Sequence, residues 1–448
     1  MGCVMKRYPK YKDSGVEWIA KIPEHWSAKP LCRVVSCNDD ALADDTRADT
    51  NLRYVDISSV DYTAGIKQVT DVRFGDAPSR ARRKAKVGDV VISTVRTYLK
   101  AVAPVTPEHA DCTYSTGFAV LRPRPHQVEP GFLKWMMLNE LLVQTVEAHS
   151  EGLSYPAINA TELVKLKALI PPPAEQRAIT AALNRETVRI DALIEKKTRF
   201  VELLREKRRA IITHTVTKGS DPTVKMRDSG VAWIGQIPEH WKIRPIKSLA
   251  KLPGSLFVDG NWIESKNLSD EGIRYITTGN VGDGVYKEQG SGFVSEATFR
   301  ELGCTEVLPG DVLVSRLNPP IGRACIVPSI GYRVVTSVDN VILRPDSDFE
   351  PRFLVYRFSS ADYYHELSVM GSGATMQRVG RRELGNISVA WPPLKEQRAI
   401  AAYLDRQMTL IDDLISKTEL SIVLLKERRA AFITAAVTGQ IDLRQEAA

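Results

Sequence analysis

Two stretches of the chain carry apolar side chains at steps of three, four or seven residues, the spacing of an amphipathic helix. These positions are Leu183, Ile190, Ile194, Val201, Leu204 and Ile211, and then Leu404, Ile411, Ile415, Ile422, Leu425 and Phe432. Prolines precede each stretch, at 171–173 and 392–393, and Gly219 and Gly439 follow. Because proline is accepted in a first helical turn and glycine ends helices, the pattern predicts helices over 175–217 and 396–438.

Each of these helices needs a packing partner for its apolar seam. A helix of about 40 residues is about 60 Å long, more than one small domain can cover. We expect the two helices to pair antiparallel, which would give the chain a pseudo-two-fold arrangement. The alternative is that each helix packs only on the globular segment next to it.

The segments between the helices have the pattern of a mixed α and β fold. Short apolar runs bounded by Gly, Pro or Asp predict buried strands at 89–93, 117–121, 311–315 and 340–343. Helices are expected at 131–146 and 351–368, with a short basic one at 79–86.

Nearly the whole chain is a tandem duplication. Residues 13–26 read DSGVEWIAKIPEHW and residues 228–241 read DSGVAWIGQIPEHW. A second pair of related strings begins with EQRAI, at Glu175 and at Glu396, and forms the two long helices. Between the shared strings only short pieces match, such as VGDVVIS at 87 with PGDVLVS at 309. The copies therefore keep one fold and differ in the inserted segments, as expected of two related heads with different specificity.

The bulk composition is that of a globular protein. The 448 residues are 43% hydrophobic and 26% charged, and 61 basic against 54 acidic residues give a net charge of +7. This excess fits a polyanionic partner without identifying one. The six cysteines form no CxxC pair and have no histidine at zinc spacing, so we expect reduced thiols and no metal. With no apolar run long enough for a bilayer and no signal peptide, the predicted location is cytoplasmic, with no membrane partner.

Candidate catalytic strings are few. Asn318-Pro319-Pro320-Ile321 resembles the element with which amino-methyltransferases hold an exocyclic amine, but the aromatic residue expected at the fourth position is absent. We interpret the prolines as loop residues. His25 and His240, each in an IPEHW string, are interpreted as packing and capping residues of a short helical clasp. We therefore predict no catalytic and no metal-binding residues.

The paired lead-in strings, the paired EQRAI helices and the two divergent inserts together resemble the specificity subunit of type I restriction–modification systems. The resemblance covers nearly the whole chain, and two different strings occur twice in the right order. It implies a non-catalytic subunit whose two target-recognition domains each read one half of a bipartite, asymmetric double-stranded DNA sequence.

The expected fold class is α+β, with two homologous mixed α/β target-recognition domains separated by two long antiparallel coiled-coil helices. The expected domains are 1–170, the first recognition domain; 171–219, the central helix; 220–391, the second recognition domain; and 392–448, the C-terminal helix.

The resemblance also implies partners and their cofactors. Two modification (methyltransferase) subunits would dock on the long helices, and restriction subunits would translocate and cleave DNA. No cofactor is expected in this chain; S-adenosylmethionine, ATP and magnesium would bind to the partners. Two other functions stay open on the sequence: a DNA adenine methyltransferase or fused restriction enzyme, and a coiled-coil scaffold that does not read DNA.

Two loops of each copy are the predicted DNA contacts, because their polar side chains match base edges and phosphates. One loop follows the GDV strand and the other precedes the long helix. The predicted DNA-binding residues are Arg96, Tyr98, Lys100, Ser154, Tyr155, Arg316, Asn318, Thr375, Gln377 and Arg378. For each of them the alternative is a solvated connector. The basic run at 80–86 is either a phosphate contact or a solvated helix face.

Overall fold

The computed structural model describes residues 6–290, 292–371 and 377–444. The chain forms two compact units, one of Met1–Thr198 with Leu420–Ala448 and the other of Arg199–Glu419. Each unit therefore contains one globular segment together with part of each long helix.

The first unit contains two four-stranded sheets. Its strands are β1 Tyr11–Val16, β2 Ile19–Pro23, β3 Ser27–Pro30, β4 Val35–Cys37, β5 Asn51–Val55, β6 Val60–Asp61, β7 Gly65–Ile66, β8 Thr70–Arg73, β9 Ala81–Lys84, β10 Val90–Ser93, β11 Val102–Pro104, β12 Thr113–Ser115, β13 Phe118–Pro123 and β14 Lys167–Ile170. Its short helices are α1 Leu31–Val34, α2 Pro130–Met137, α3 Glu140–Ala148 and α4 Ala160–Leu163. The sheet orders are β11-β10-β13-β4 and β8-β5-β12-β9, in which β5 and β12 are parallel. Strands β3 and β14 pair separately, as do β1 and β2.

The central strand β10 is apolar at every position except its last because both faces of its sheet are covered. Val90 and Ile92 belong to a core shared with the helices, whereas Val91 belongs to a second core shared with the other sheet. A strand buried on both faces has a continuous apolar run instead of alternation, which is why this strand was readable in the sequence.

The first long helix, α5, spans Pro173–Lys218, and Gly219 follows it with a φ of 77°. A left-handed glycine directly after the last helical residue is a common helix end.

The second unit repeats the architecture of the first. Its strands are β15 Met226–Asp228, β16 Gln236–Pro238, β17 Lys242–Pro245, β18 Leu256–Asp259, β19 Leu268–Ser269, β20 Ile273–Ile276, β21 Phe293–Val294, β22 Val312–Ser315, β23 Ala324–Ile326, β24 Val334–Thr336, β25 Asn340–Arg344 and β26 Ser388–Trp391. Its short helices are α6 Glu296–Glu301, α7 Pro351–Arg357, α8 Ala361–Met370 and α9 Arg381–Asn386, and the second long helix, α10 Leu394–Val437, begins in this unit. The sheet orders are β18-β25-β22-β23 and β19-β21-β20-β24, with β20 and β24 parallel.

The two long helices pair antiparallel within each unit. In the first unit the Arg429 guanidinium lies 2.9 Å from the Asp191 carboxylate. In the second unit Arg205 pairs with Glu419 at 2.8 Å, and Arg208 lies 3.5 Å from Asp412. Higher numbers on α10 thus meet lower numbers on α5, which confirms the expected pairing. Each helix also packs on a globular segment, so the alternative contributes as well.

Three predicted helices differ from the structure. The basic segment 79–86 contains the strand β9, because its backbone hydrogen-bonds to β12 and places Ala81 in the interior. The helix expected at 131–146 is divided between α2 and α3 at Asn139, whose side-chain Oδ1 accepts a hydrogen bond from the Leu141 N–H and caps α3. The helix expected at 351–368 is likewise divided into α7 and α8.

Candidate nucleic-acid interface

In each unit a loop leaves the central strand of the first sheet and passes through a left-handed residue. In the first unit that residue is Arg96, with a φ of 52°, three positions after the end of β10. In the second unit it is Asn318, with a φ of 60°, three positions after the end of β22. Both side chains are exposed. Positive φ is uncommon for residues other than glycine, so the two copies share an unusual backbone position that carries different side chains.

The loop that precedes the long helix lies beside this first loop in both copies. Val95 forms an antiparallel bridge with Ala157, and Leu317 forms one with Arg378. The Asn318 N–H also donates to the carbonyl oxygen of Gln377 at 3.1 Å. The structure therefore brings Arg96 together with Tyr155, with Tyr98 and Ser154 in the same two adjacent loops, and it brings Asn318 together with Gln377 and Arg378. Thr375 lies outside the described residues.

Exposed aromatic and basic groups define the first unit's loops. The Arg96 guanidinium carbon lies 5.3 Å from the centroid of the Tyr155 ring, a cation–π distance. Tyr98 and Tyr155 are 47% and 66% exposed, and Ser154 is exposed. Lys100 is less exposed than these residues, because its side chain is half-buried and its Nζ lies 3.7 Å from the Glu140 carboxylate. The Arg96 guanidinium is thus exposed and lies over the ring of Tyr155.

Arg316 does not belong to the exposed set. Its side chain is 4% exposed, its guanidinium donates to the carbonyl oxygens of Val338 and Val379, and it lies 3.0 Å from the Asp259 carboxylate. Burial lowers the pKa of this guanidinium. The structurally equivalent residue of the first copy, Thr94, is also buried. We therefore reassign Arg316 from base contact to support of the loop, since its hydrogen-bonding groups face the protein.

Sequence reasoning missed one residue near this loop. Arg381, at the start of α9, is 44% exposed and lies 3.0 Å from the Asp259 carboxylate. Arg378 is equally exposed and lies 3.1 Å from Asp339. The basic GRR string at 380–382 was a signal for Arg381, but nothing local indicated that it shares Asp259 with Arg316.

The Asn-Pro-Pro-Ile string is held by Arg323. This guanidinium donates to the carbonyl oxygens of Asn318 at 2.7 Å and Val281 at 2.8 Å. Ile321, at the position where a methyltransferase would carry the stacking aromatic, is 4% exposed and packs in the core of the second unit. The string is a supported loop, as interpreted from the sequence.

Two side chains of the basic run at 80–86 pair with nearby acidic groups. Arg80 pairs with Asp56 at 2.7 Å, and Lys86 lies 3.3 Å from Asp40. The hydrogen bond from Arg122 keeps the pKa of Asp40 below its usual value. Arg80 and Lys86 are therefore balanced within the protein, which favours the solvated-surface interpretation over a phosphate contact for these two residues.

The strings shared by the two copies meet at the start of each long helix. In the first unit the Glu175 carboxylate accepts hydrogen bonds from Trp26 Nε1 at 3.1 Å and Tyr8 Oη, and lies 2.7 Å from His25 Nε2. In the second unit Glu396 lies 2.7 Å from His240 Nε2 and accepts from Trp241 Nε1 at 3.2 Å. We call this arrangement the clasp. Its histidines lie in turns between strands and not in the short helix expected from the sequence.

The residue after each clasp glutamate joins the helix to the globular segment. The Gln176 Oε1 accepts from the Glu129 N–H at 2.7 Å, and its Nε2 donates to the Pro171 carbonyl oxygen. Gln397 makes the same bonds with Glu350 and Pro392. The EQRAI string therefore fixes the globular segment to its long helix.

Comparison with known proteins matches this architecture to one family. The family model for the type I restriction modification DNA specificity domain matches residues 238–422. The putative type I restriction enzyme MjaX specificity subunit of Methanocaldococcus jannaschii is 23% identical over 436 residues, covering 95% of this chain and 96% of that protein. The chain is similar to type I DNA specificity subunits along nearly its whole length. The specificity subunit of the EcoKI enzyme of Escherichia coli K12 is 23% identical over 213 residues, 46% of this chain and 44% of that protein.

Solved structures share the fold of this chain. A chain from a structure on complex assembly and conformational transition of the type I R-M system gives a TM-score of 0.76 at 23% identity, covering 94% of this chain and all of that one. The HsdS subunit from Thermoanaerobacter tengcongensis gives 0.57 at 23% identity, with 94% and 98% covered.

The comparisons support a non-catalytic role for this chain in recognition of a DNA sequence. Across residues 6–290, 292–371 and 377–444, no helix has the length and apolarity needed to cross a membrane.

Proposed function

We propose that this specificity subunit reads an asymmetric, two-part DNA target, with one half-site for each unit. The observation that carries the proposal is the shared left-handed position at the tip of the first loop. The two loops carry Arg96 in one copy and Asn318 in the other at this shared left-handed position, and so present different hydrogen-bonding groups from matching places in the fold. Two different half-sites follow, and their combination is not a palindrome.

The chemistry of these two side chains suggests what each reads. Arginine pairs in bidentate fashion with the O6 and N7 of guanine, and asparagine with the N6 and N7 of adenine, both in the major groove. We assign Arg96 to a guanine in the first half-site and Asn318 to an adenine in the second. The other proposed contacts to bases or phosphates are Tyr98, Lys100, Ser154, Tyr155, Thr375, Gln377, Arg378 and Arg381.

Tyr155 is assigned a positioning role in addition to contact. Its ring lies against the Arg96 guanidinium, and a stacked guanidinium loses less freedom when it meets a base. Arg316 is assigned to loop support, because its donors are used by Asp259 and by backbone carbonyl groups.

The long helices are proposed to dock two modification subunits. Exposed leucines occur at repeat-related positions: Leu193 and Leu424 in the first unit, and Leu414 and Leu203 in the second, between 41% and 55% exposed. Exposed apolar side chains clustered on a helix are typical of an interface with another protein. Two equivalent sets support two copies of the partner, which would bind S-adenosylmethionine; restriction subunits would bring ATP and magnesium.

Mapping of methylated adenines in cells that express this chain with its modification subunits tests the proposal. Replacing residues 27–170 with the corresponding segment of another specificity subunit should change one half-site and leave the other intact. Asn318→Ala should relax the sequence at one adenine of the second half-site and leave the first half-site unchanged. A change in both half-sites after either substitution contradicts the proposal.

Arg96→Ala and Arg316→Met make a matched pair for the same mapping. The first should relax one position of the first half-site, whereas the second should lower the amount of folded protein without altering the sequence that is methylated. An altered second half-site in the Arg316 variant would mean that its guanidinium reaches DNA.

A further inference from the structure

The first unit carries an apolar tip beside its reading loop. Glu151 and Ala157 pair through two hydrogen bonds of 2.9 Å, each N–H donating to the other residue's carbonyl oxygen. The turn between them begins at Gly152, whose φ of 110° disfavours any other residue. Leu153 follows it, and its side chain is fully exposed, at 107% of the reference value. We call residues 152–155 the tip.

The fold does not require an apolar residue at the tip. Leu153 buries none of its surface within the protein, so it contributes nothing to the core. Neighbouring side chains are also apolar and open to solvent: Tyr155 in the tip, and Val95, Tyr98 and Leu99 in the adjacent loop, between 36% and 66% exposed. A cluster of exposed apolar groups of this kind marks a surface that a partner covers.

The position of the tip limits which part of DNA it can meet. Tyr155 lies against Arg96, and the loop bridge between Val95 and Ala157 holds the two loops side by side. If Arg96 reads a guanine edge in the major groove, the tip lies in the same groove. The apolar group that the major groove presents is the C5 methyl of thymine.

We propose that Leu153 contacts the C5 methyl group of a thymine in the half-site read by Arg96. This inference rests on the proposed function and deepens it, because it makes the tip a specificity-determining element of the first unit. A hydrogen-bonding arginine and an apolar leucine then distinguish two base pairs that lie within reach of one pair of loops.

Deoxyuridine tests the contact because it lacks only the C5 methyl of thymine. After the target has been mapped, each thymine on either strand is replaced in turn, and binding is measured for the complex of the full chain with its modification subunits. One replacement in the first half-site should weaken binding about fourfold, the effect of one buried methyl group. Leu153→Ala should weaken binding to the normal target and remove the response to that replacement.

Two further variants distinguish loss of the thymine contact from a nonspecific loss of folding or binding. Leu153→Met keeps an apolar side chain and should retain the response to deoxyuridine. Val87→Ala removes an apolar side chain that is 58% exposed, before the start of β10 and thus at the opposite end of the strand from the reading loop. It should leave both affinity and the response unchanged.

Several outcomes overturn the thymine contact. They are a first half-site without thymine on either strand, no response to any replacement, or a response that persists in Leu153→Ala. A 2-aminopurine fluorescence increase on binding that disappears in Leu153→Ala would show base-step insertion instead, and would also overturn it. In all of these cases, binding that still depends on the first half-site leaves the proposed function intact. Binding that is indifferent to that half-site would refute the proposed function itself.

Discussion

Removal of the clasp carboxylate should affect the two copies unequally. Glu175 accepts hydrogen bonds from two buried donors, since Tyr8 is 4% exposed and Trp26 is fully buried. Among the residues that the structure describes, Glu396 has one comparable donor, Trp241, at 1% exposure. The two histidines are similar, because His25 and His240 are both about two-fifths exposed and can bind water instead.

The expected magnitudes follow from the number of buried donors. Each buried donor left without an acceptor costs about 1–3 kcal/mol. Glu175→Ala should therefore cost about 2–6 kcal/mol, and Glu396→Ala about 1–3 kcal/mol. The favourable interaction of a carboxylate with a helix start is lost in both variants and largely cancels in the comparison.

Hydrogen exchange followed by mass spectrometry measures each clasp separately, because it reports local opening free energies. Protection of the first turns of α5 should fall by a factor of about 30 or more in Glu175→Ala. Protection of the first turns of α10 should fall by a factor of about 5 or more in Glu396→Ala. Each variant should leave the other helix start protected.

The Tyr8→Phe substitution provides the control. It removes the extra donor of the first clasp, so the further loss caused by Glu175→Ala in that background should match the loss caused by Glu396→Ala. The reasoning is refuted if the two glutamate variants lose protection equally, or if Tyr8→Phe leaves the difference between them unchanged.

Three further outcomes are expected from side chains in different environments. Burial raises the pKa of Cys325 to about 12, so iodoacetamide at pH 8 should alkylate the exposed Cys32 and leave Cys325 unmodified until unfolding, as peptide mass spectrometry can show. Arg316→Met should lower the free energy of unfolding of the second unit by about 2 kcal/mol or more, measured with urea, because Asp259 and two carbonyl oxygens lose a donor. Hydrogen bonds from Ala64 and its neighbour hold the pKa of Asp61 below its usual value, so its stabilisation is present above about pH 4 and is lost at lower pH. Exchange protection of this turn should show that loss, and Asp61→Asn should remove the pH dependence.

The sequence was sufficient for the elements that depend on local pattern. The long helices follow from their apolar spacing, and strands such as β10 and β22 follow from apolar runs bounded by glycine and aspartate. The duplication added information that a single copy lacks. Because the two copies share one fold, loops at equivalent positions in the sequence are expected at equivalent positions in the structure. Arg96 and Asn318 were both selected in this way.

The remaining features depend on contacts between distant parts of the chain. Strand β9 has a basic sequence that suits a helix equally well, and only its pairing with β12 decides between them. The inward direction of Arg316 depends on Asp259, which is far away in sequence. The clasp joins Trp26 to Glu175, and the only available signal was that both strings occur in both copies.

The left-handed conformation at Arg96 and Asn318 has a consequence for how specificity can evolve. The left-handed position accepts either side chain, so one codon change there could alter the preferred base while the surrounding scaffold keeps its geometry. The same conformation restricts which residues these two positions can accept, because β-branched residues are strongly disfavoured at positive φ. New specificities should therefore arise at these two positions mainly from unbranched polar residues, with valine, isoleucine and threonine excluded by conformation and not by their chemistry.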